Sequence, residues 1–379
     1  MVRHGALSVL AVAALVGAAA GGPLDPPPGP VGDTGAPGAM SPPFKTLGQI
    51  EPRTAVQSLP GSGTALHVIS QSGSYYLTGN IQGVSGKHGI LIAAENVTLD
   101  LNGFAVIGVS GGGDGVSTGA YYRNLHVRNG VIRGWPGNGA NVQGDNSILE
   151  DLRVSNCALA GIFSGTSLGT IVRGCVVQDC AGGGISTGVG ALVERCSVLY
   201  TLTSGSGPGI TVADGSVVRD CSVRQVRGTG VLAGGDCHVI SCLISRCAAD
   251  GINVGTRSTV RQCTVVGQTG NGIVINGAAC VVMDNTLDSN APGSTTAGGI
   301  MTTQNNSRIE GNALVGNGQG LRVTGIGNFI ARNTARANQT NFNIGSSNAY
   351  GPIVSVALLG NMGNNPDGNA IHPWANFSH

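Results

Sequence analysis

Val172-x-x-Cys175-x-Val177, Val193-x-x-Cys196-x-Val198, Val218-x-x-Cys221-x-Val223, Val239-x-x-Cys242-x-Ile244 and Val260-x-x-Cys263-x-Val265 are one phrase written five times, at spacings of 21 to 25 residues. A period in that range marks a repeat architecture in which each unit stacks on the one before. With cysteine treated as one option at its slot, the phrase extends in both directions. Upstream it reads Leu99-x-x-Asn102-x-Phe104, Val127-x-x-Gly130-x-Ile132 and Leu149-x-x-Leu152-x-Val154. Downstream it reads Val282-x-x-Asn285-x-Leu287, Ile309-x-x-Asn312-x-Leu314 and Ile330-x-x-Asn333-x-Ala335, for eleven copies in all. A Gly followed by an apolar residue precedes each copy, from Gly89-Ile90 to Gly320-Leu321. A third slot, five residues after the middle one, holds Cys157, Cys180, Cys247, Asn290, Asn317 and Asn338.

Each unit has room for three short strands at roughly 3.3 Å per residue. Apolar residues alternate within each run, which is the period of a strand and not of a helix. Gly and Asn stand between runs, where corners need unusual backbone angles. A chain that turns three corners and returns above its own start repeats every ~4.8 Å along the axis, so matching side chains stack in columns. Apolar columns then form a core that no single coil could bury alone. An Asn column (Asn102, Asn285, Asn312, Asn333) can hydrogen-bond along the stack and satisfy corner backbone groups. No stretch between repeats carries an apolar helical stripe, which argues against helical and leucine-rich solenoids. The expected fold is all-β: one solenoid of about eleven coils over residues 89–340.

The Gly-Ile starts and the Asn-x-Leu-x-x-Asn rungs, such as Asn285-Thr286-Leu287-Asp288-Ser289-Asn290, resemble those of right-handed parallel β-helix repeat proteins of the pectin-lyase-like superfamily, in particular the bacterial secreted type. The likeness covers about residues 65–350. It implies a right-handed coil and is weak for function, because the superfamily holds lyases, hydrolases, epimerases, tailspikes and adhesins.

The flanks are read from composition. Met1-Val2-Arg3-His4 is a short basic head, Ala6 to Val16 an apolar run, and Ala18-Ala19-Ala20 a small-residue cleavage site, so residues 1–20 read as an export signal. Residues 21–43 are rich in Pro and Gly; their four collagen-like triplets are too few for a triple helix, and an extended linker is expected. Residues 44–88 are expected to form the N-terminal cap and first incomplete coils. Residues 341–379, with His372-Pro373-Trp374-Ala375-Asn376-Phe377, should form the opposite cap, since an open end exposes core and unpaired backbone. No apolar run long enough to span a membrane follows the signal. The expected location is secreted, periplasmic or cell-surface.

Net charge is +1 and only 10% of residues are charged, so no basic field exists to hold nucleic acid. Ten cysteines in an exported chain would ordinarily suggest a disulfide framework. Here Cys175, Cys196, Cys221, Cys242 and Cys263 fall in one column, with parallel Cβ atoms ~4.8 Å apart, outside the usual disulfide range of roughly 3.5–4.5 Å. A ladder of buried thiols is favoured over one or two strained bridges or a metal site. His238 beside Cys237 is the one His–Cys neighbour, too little for zinc, and no metal or cofactor is expected.

The resemblance implies that a hydrolase would show close carboxylates, and a lyase a calcium-binding acidic cluster with an Arg or Lys base. Asp151, Asp220 and Asp284, beside the middle slot, lie three coils apart, roughly 15 Å, and cannot pair. Arg173/Glu194 and Arg195/Asp220 fall on neighbouring rungs and read as a solvated face. One stretch stands out: Asp114, Tyr121, Tyr122, Arg123, Arg128, Arg133 and Trp135, in a chain with two Trp, six Tyr and six Phe. Rings and guanidinium groups suit acidic sugars; the same residues could instead pack beneath the N-terminal cap. The residue two after each Gly points outward. Leu91, Phe163, Leu232, Val274 and Met301 there form an apolar strip that could serve a homo-oligomer. The sequence therefore points to a non-catalytic polysaccharide-binding or cell-envelope scaffold. The alternatives are a lyase or epimerase on acidic polysaccharide, or a structural or adhesive surface protein.

Overall fold

The computed structural model describes residues 53–201, 205–356 and 369–379. The expected signal and linker lie outside them. Strands dominate; the helices among the described residues are single 3-10 turns at Val56–Ser58 and Asn369–Ile371. All strand pairs are parallel, and each joins a residue to its counterpart one coil later. The first strand of every coil builds a thirteen-stranded sheet running from Ala65–Ile69 to Thr340–Ile344. Eleven of these strands belong to coils that carry the phrase; the other two extend the stack at each end, into the segments expected as caps. The second and third strands form two further stacks. These are joined where His126–Arg133 and Ile148–Ser155 run through the corner between them.

The columns follow from alternation. In the first sheet Ile90, Val116, Ala140, Ile162, Ile185, Ile210, Val231, Ile252, Ile273, Ile300 and Leu321 stack inward and are buried. In the second, Leu99, Val127, Leu149, Val172, Val193, Val218, Val239, Val260, Val282, Ile309 and Ile330 do the same. Corners are made by residues in the left-handed region. Asn129, Asp151, Arg195, Asp220, Ser241, Gln262, Asp284 and Arg332 share one corner with Gly174 and Gly311, all at φ between 52° and 69°. Such angles cost non-glycine residues little when the side chain is Asn or Asp and more otherwise.

One alignment needs correcting. Between the inward Leu99 and its third-strand partner Val106 the chain takes two more residues than between Val127 and Ile132, because Val106 pairs with Ile132. Leu101 therefore fills the inward slot, and Asn102 stands exposed at the corner with φ 52°. Asn102 is no part of the Asn ladder. Asn285, Asn312 and Asn333 are buried in it. Asn312 donates through Nδ2 to the Val282 carbonyl, and its Oδ1 accepts the Asn285 main-chain N–H at 3.0 Å.

The five column cysteines are buried and unbridged, as are the other five. Their thiols do more than fill space. Each donates to a carbonyl on the coil before it: Cys175 to Leu149, Cys196 to Val172, Cys221 to Val193, Cys242 to Val218 and Cys263 to Val239, at 3.6–3.7 Å. Thiol and amide thus satisfy the same orphan acceptor at this corner.

Candidate functional site

The seven residues singled out between Asp114 and Trp135 do not converge. Trp135 is a core side chain, 1% exposed, with Nε1 donating to the Val106 carbonyl at 3.0 Å. No sugar can stack on it. Asp114 is buried as well. Its Oδ1 accepts from the Asn138 main chain at 2.6 Å and from Asn138 Nδ2, and its Oδ2 accepts from Asn141 and Ser117. Asp250 caps Asn271 in the same way several coils on, so this carboxylate is a corner brace. Tyr122 packs against the core. Tyr121 and Arg123 are exposed at another corner, where the Tyr121 hydroxyl and the Arg123 guanidinium both meet Asp145. That contact raises the tyrosine and lowers the carboxyl relative to their ordinary ranges. Arg128 lies on the outer face of the second strand and Arg133 on that of the third. A run of twenty-two residues that turns corners visits three faces and the core.

A groove of about 550 Å³ lies at the corner between those two faces, lined by Gly103, Asn129, Gly130, Val131, Asp151, Arg153, Gly174 and Val176. Four successive coils supply it. Asn129 and Asp151 point outward there because both corners are left-handed. Gly174 sits at φ 63°, and a Cβ on it would come 2.5 Å from Asp151 Oδ1. Glycine here leaves room for the carboxylate. Arg153 is exposed and, among the described residues, its side chain has no ion-pair or hydrogen-bond partner, though its backbone pairs with Val131 and Val176. Arg128 and Arg133 flank the groove, one on each face.

The neighbouring carboxylates are neutralised. Asp100 meets Arg128 at 3.2 Å and Arg53 at 3.4 Å. Glu150 takes the Arg173 guanidinium at 2.5 Å and His126 Nε2 at 2.7 Å. Burial works to raise the Glu150 carboxyl, but the Arg173 and His126 hydrogen bonds outweigh it and hold it below the usual range. Glu194 is bound by Arg219 at 2.5 Å and by Arg195, and is likewise held low, first by the Arg219 hydrogen bond. The pairing expected between Arg173 and Glu194 is replaced by Arg173–Glu150, and Arg195 turns to its sequence neighbour Glu194 instead of Asp220. Asp151 is the one carboxylate lining the groove. Ionised carboxylates cannot serve as general acids, and a hydrolase needs a second carboxyl poised near the first. This arrangement can hold an anionic, hydroxylated ligand through Arg153 and Asn129.

Asp151 was visible in the sequence as an Asp beside the middle slot of the phrase. Asn129 and Arg153 were missed, because they stand out only when corners 22 to 24 residues apart are laid side by side. The outward apolar strip does occupy one column of the first sheet, but it is interrupted: only Val274 and Met301 are register neighbours within it. No group of three or more metal-binding side chains occurs among the described residues, and no helix there is long and apolar enough to cross a membrane.

A family model described as "Right handed beta helix region" matches residues 208–371. No curated protein matches in sequence. The A-module of the Azotobacter vinelandii mannuronan C-5 epimerase AlgE4 superposes with a TM-score of 0.53 at 13% identity, covering 76% of this chain and 91% of that one. The tailspike protein of E. coli bacteriophage HK620, solved with a pentasaccharide, gives 0.49 at 12% identity, covering 80% and 64%. At these identities the likeness speaks to the fold. With parallel coils stacked in register from residue 65 to residue 344, this chain is a right-handed parallel β-helix protein.

Proposed function

We propose that this protein binds acidic polysaccharide without cleaving it, as an exported or cell-envelope scaffold, through the groove at the Asn129–Asp151–Gly174 corner. One observation carries the reading. The Arg153 side chain stands unpaired in a groove lined by a single carboxylate, Asp151, while the carboxylates beside the groove, Asp100 and Glu150, are already taken by Arg128, Arg173 and His126. A free guanidinium seeks a carboxylate from outside, and it forms bidentate pairs with one. Val131 and Val176 give the groove apolar walls for sugar faces. The polysaccharide named for the aligned epimerase accords with this ligand class.

A second reading rests on His126. An imidazole held by a carboxylate, with Nε2 2.7 Å from Glu150 Oε1, has the arrangement of a general base, and a lyase or epimerase acting on uronates needs one. One experiment separates the two. The purified protein is titrated with uronate-containing and neutral polysaccharides while product release is followed. The binding reading expects salt-sensitive affinity for the uronate polymers, lost in Arg153→Ala, and no turnover. Release of unsaturated or epimerised product, abolished in His126→Gln, would replace it with the enzyme.

A further inference from the structure

The outer face of the second sheet carries a column of strictly alternating charge. Along six successive coils one outward column reads Asp100, Arg128, Glu150, Arg173, Glu194, Arg219, each a register partner of the next. The column is bounded by Tyr76 before it and Ile240 after it. Within the chain, alternation keeps like charges off adjacent rungs. Strict alternation over an even number of rungs has a further property: it is its own complement when reversed end for end. Beside it runs a second outward column, Thr98, His126, Ile148, Ile171, Leu192, Val217, whose last four members are apolar and half-buried.

We propose that this face docks a second copy of the chain in antiparallel fashion, about a two-fold axis between Glu150 and Arg173. That axis sets Asp100 opposite the partner's Arg219, Arg128 opposite the partner's Glu194, and Glu150 opposite the partner's Arg173. All six positions meet the opposite sign. A parallel, in-register copy would meet like charges on every rung, which costs several kcal/mol in a desolvated contact. The same axis brings Ile148 against the partner's Ile171 and Leu192 against the partner's His126, so the centre is apolar where the flank is charged. Isologous contacts of this kind are the commonest in homo-oligomers. The carboxylates lie deep, 9–13% exposed at the side chain, and the arginines above them remain 40–48% exposed, free to share a second carboxylate across the interface. The patch is ~24 Å long and two side chains wide. It falls short of the ~800 Å² per partner of tight complexes, so the dimer is weak and salt-sensitive.

Sedimentation velocity of the full chain over a range of concentrations, at about 0.05 M and about 0.5 M salt, tests this. A monomer–dimer equilibrium at low salt that shifts to monomer at high salt is expected. The double exchange Glu194→Arg/Arg219→Glu keeps an intrachain pair of opposite sign but faces like charges across the axis; it should weaken dimerisation at least ~10-fold. The exchange Glu150→Arg/Arg173→Glu keeps every cross-axis pair opposite and should leave the dimer. Leu192→Asp, on the solvent side of its strand, should give monomer and serves where an exchanged variant loses its β-sheet circular dichroism. A wild-type chain that is monomeric throughout at low salt, dimerisation of Glu194→Arg/Arg219→Glu equal to wild type, or a dimer unaffected by Leu192→Asp each overturns the proposal.

Discussion

Cys263 and Asn285 meet across one coil spacing: the main-chain N–H of Cys263 donates to Oδ1 of Asn285 at 2.9 Å. At this contact the buried ladder passes from thiols to amides. Asn285 goes on to donate through Nδ2 to the Val260 carbonyl at 3.1 Å, the role that the Cys263 thiol fills toward Val239 one coil earlier. An amide, however, can also accept, and so it satisfies a backbone donor that a thiol leaves to others.

Asn285→Ala should therefore destabilise the protein by about 2–4 kcal/mol, since it strips partners from the buried Cys263 N–H and Val260 carbonyl. Asn285→Cys should cost less, about 1–2 kcal/mol, because a thiol still reaches the Val260 carbonyl. Urea unfolding monitored by circular dichroism gives the order. Equal losses in the two variants would show that the slot demands volume and not hydrogen bonding.

The ten thiols should all be free and all protected. Alkylation in denaturant should count ten, and alkylation of the native protein should be slow for every one. Neighbouring thiol hydrogen bonding, together with burial, pushes Cys196 up to about 12, and burial pushes Cys247 up to about 12, from an ordinary value near 9. These thiols stay protonated in the fold and ionise first in the unfolded chain. Stability from them is complete below about pH 8.5 and falls as pH rises from about 9 toward 12. A melting temperature that is flat from pH 8 to pH 11 would contradict this.

On the acid side the sign is opposite. Glu150 and Glu194 are held below their ordinary range, in the net by Arg173 with His126 and by Arg219 respectively. Their contribution is present above about pH 4.5 and drains away as pH falls through the lowered values. Glu194→Gln should flatten the acid limb of the stability curve and leave the alkaline limb unchanged. Loss of both limbs would point to a general weakening.

Trp135 and Arg153 separate fold from function. Trp135→Ala should cost about 3–5 kcal/mol, as for other buried aromatic side chains, with no specific effect on ligand affinity in the fraction that folds. Arg153→Ala should leave unfolding within about 0.5 kcal/mol of wild type and abolish the salt-sensitive part of polysaccharide binding. The reverse assignment would return the site to the aromatic-rich coil.

The architecture was legible because a solenoid writes its core as a period. Ile185, Val193 and Val198 each recur one coil later as Ile210, Val218 and Val223, and burial follows. The left-handed corners were legible where Asn, Asp or Gly stands, and not at Arg195, Arg246 or Arg332, whose side chains advertise no such preference. Asn102 misled because two extra residues in its coil shift the phrase off the inward face. The residues from Asp114 to Trp135 misled for a related reason. Adjacent in sequence, they are dispersed by a chain that turns every five residues or so, whereas Asn129, Asp151 and Gly174 become neighbours only through stacking.

The C-terminal end offers a last check. Asn376–Ser378 adds a strand beside Thr334–Arg336 and Ile353–Ser355, and Asn376 Oδ1 accepts the Asn333 main-chain N–H at 3.0 Å, extending the Asn ladder by one. The segment is latched from outside. Trp374 packs edge-on against Phe329 with centroids 5.7 Å apart, Arg332 lies 4.7 Å over the Trp374 ring, and Arg332 Nε donates to the Pro373 carbonyl at 3.1 Å. Glu310 binds both Arg308 and Arg332, which fixes the latch to the preceding coil. The ring pair and the cation–π contact together contribute about 1–3 kcal/mol. Trp374→Ala should thus open this strand locally, raising amide exchange in residues 376–378 by ~10- to 100-fold while the coils before residue 320 keep their protection. Exchange that rises evenly along the whole stack would mean that the terminal strand seals the solenoid as one cooperative unit, and that the latch is part of its global stability.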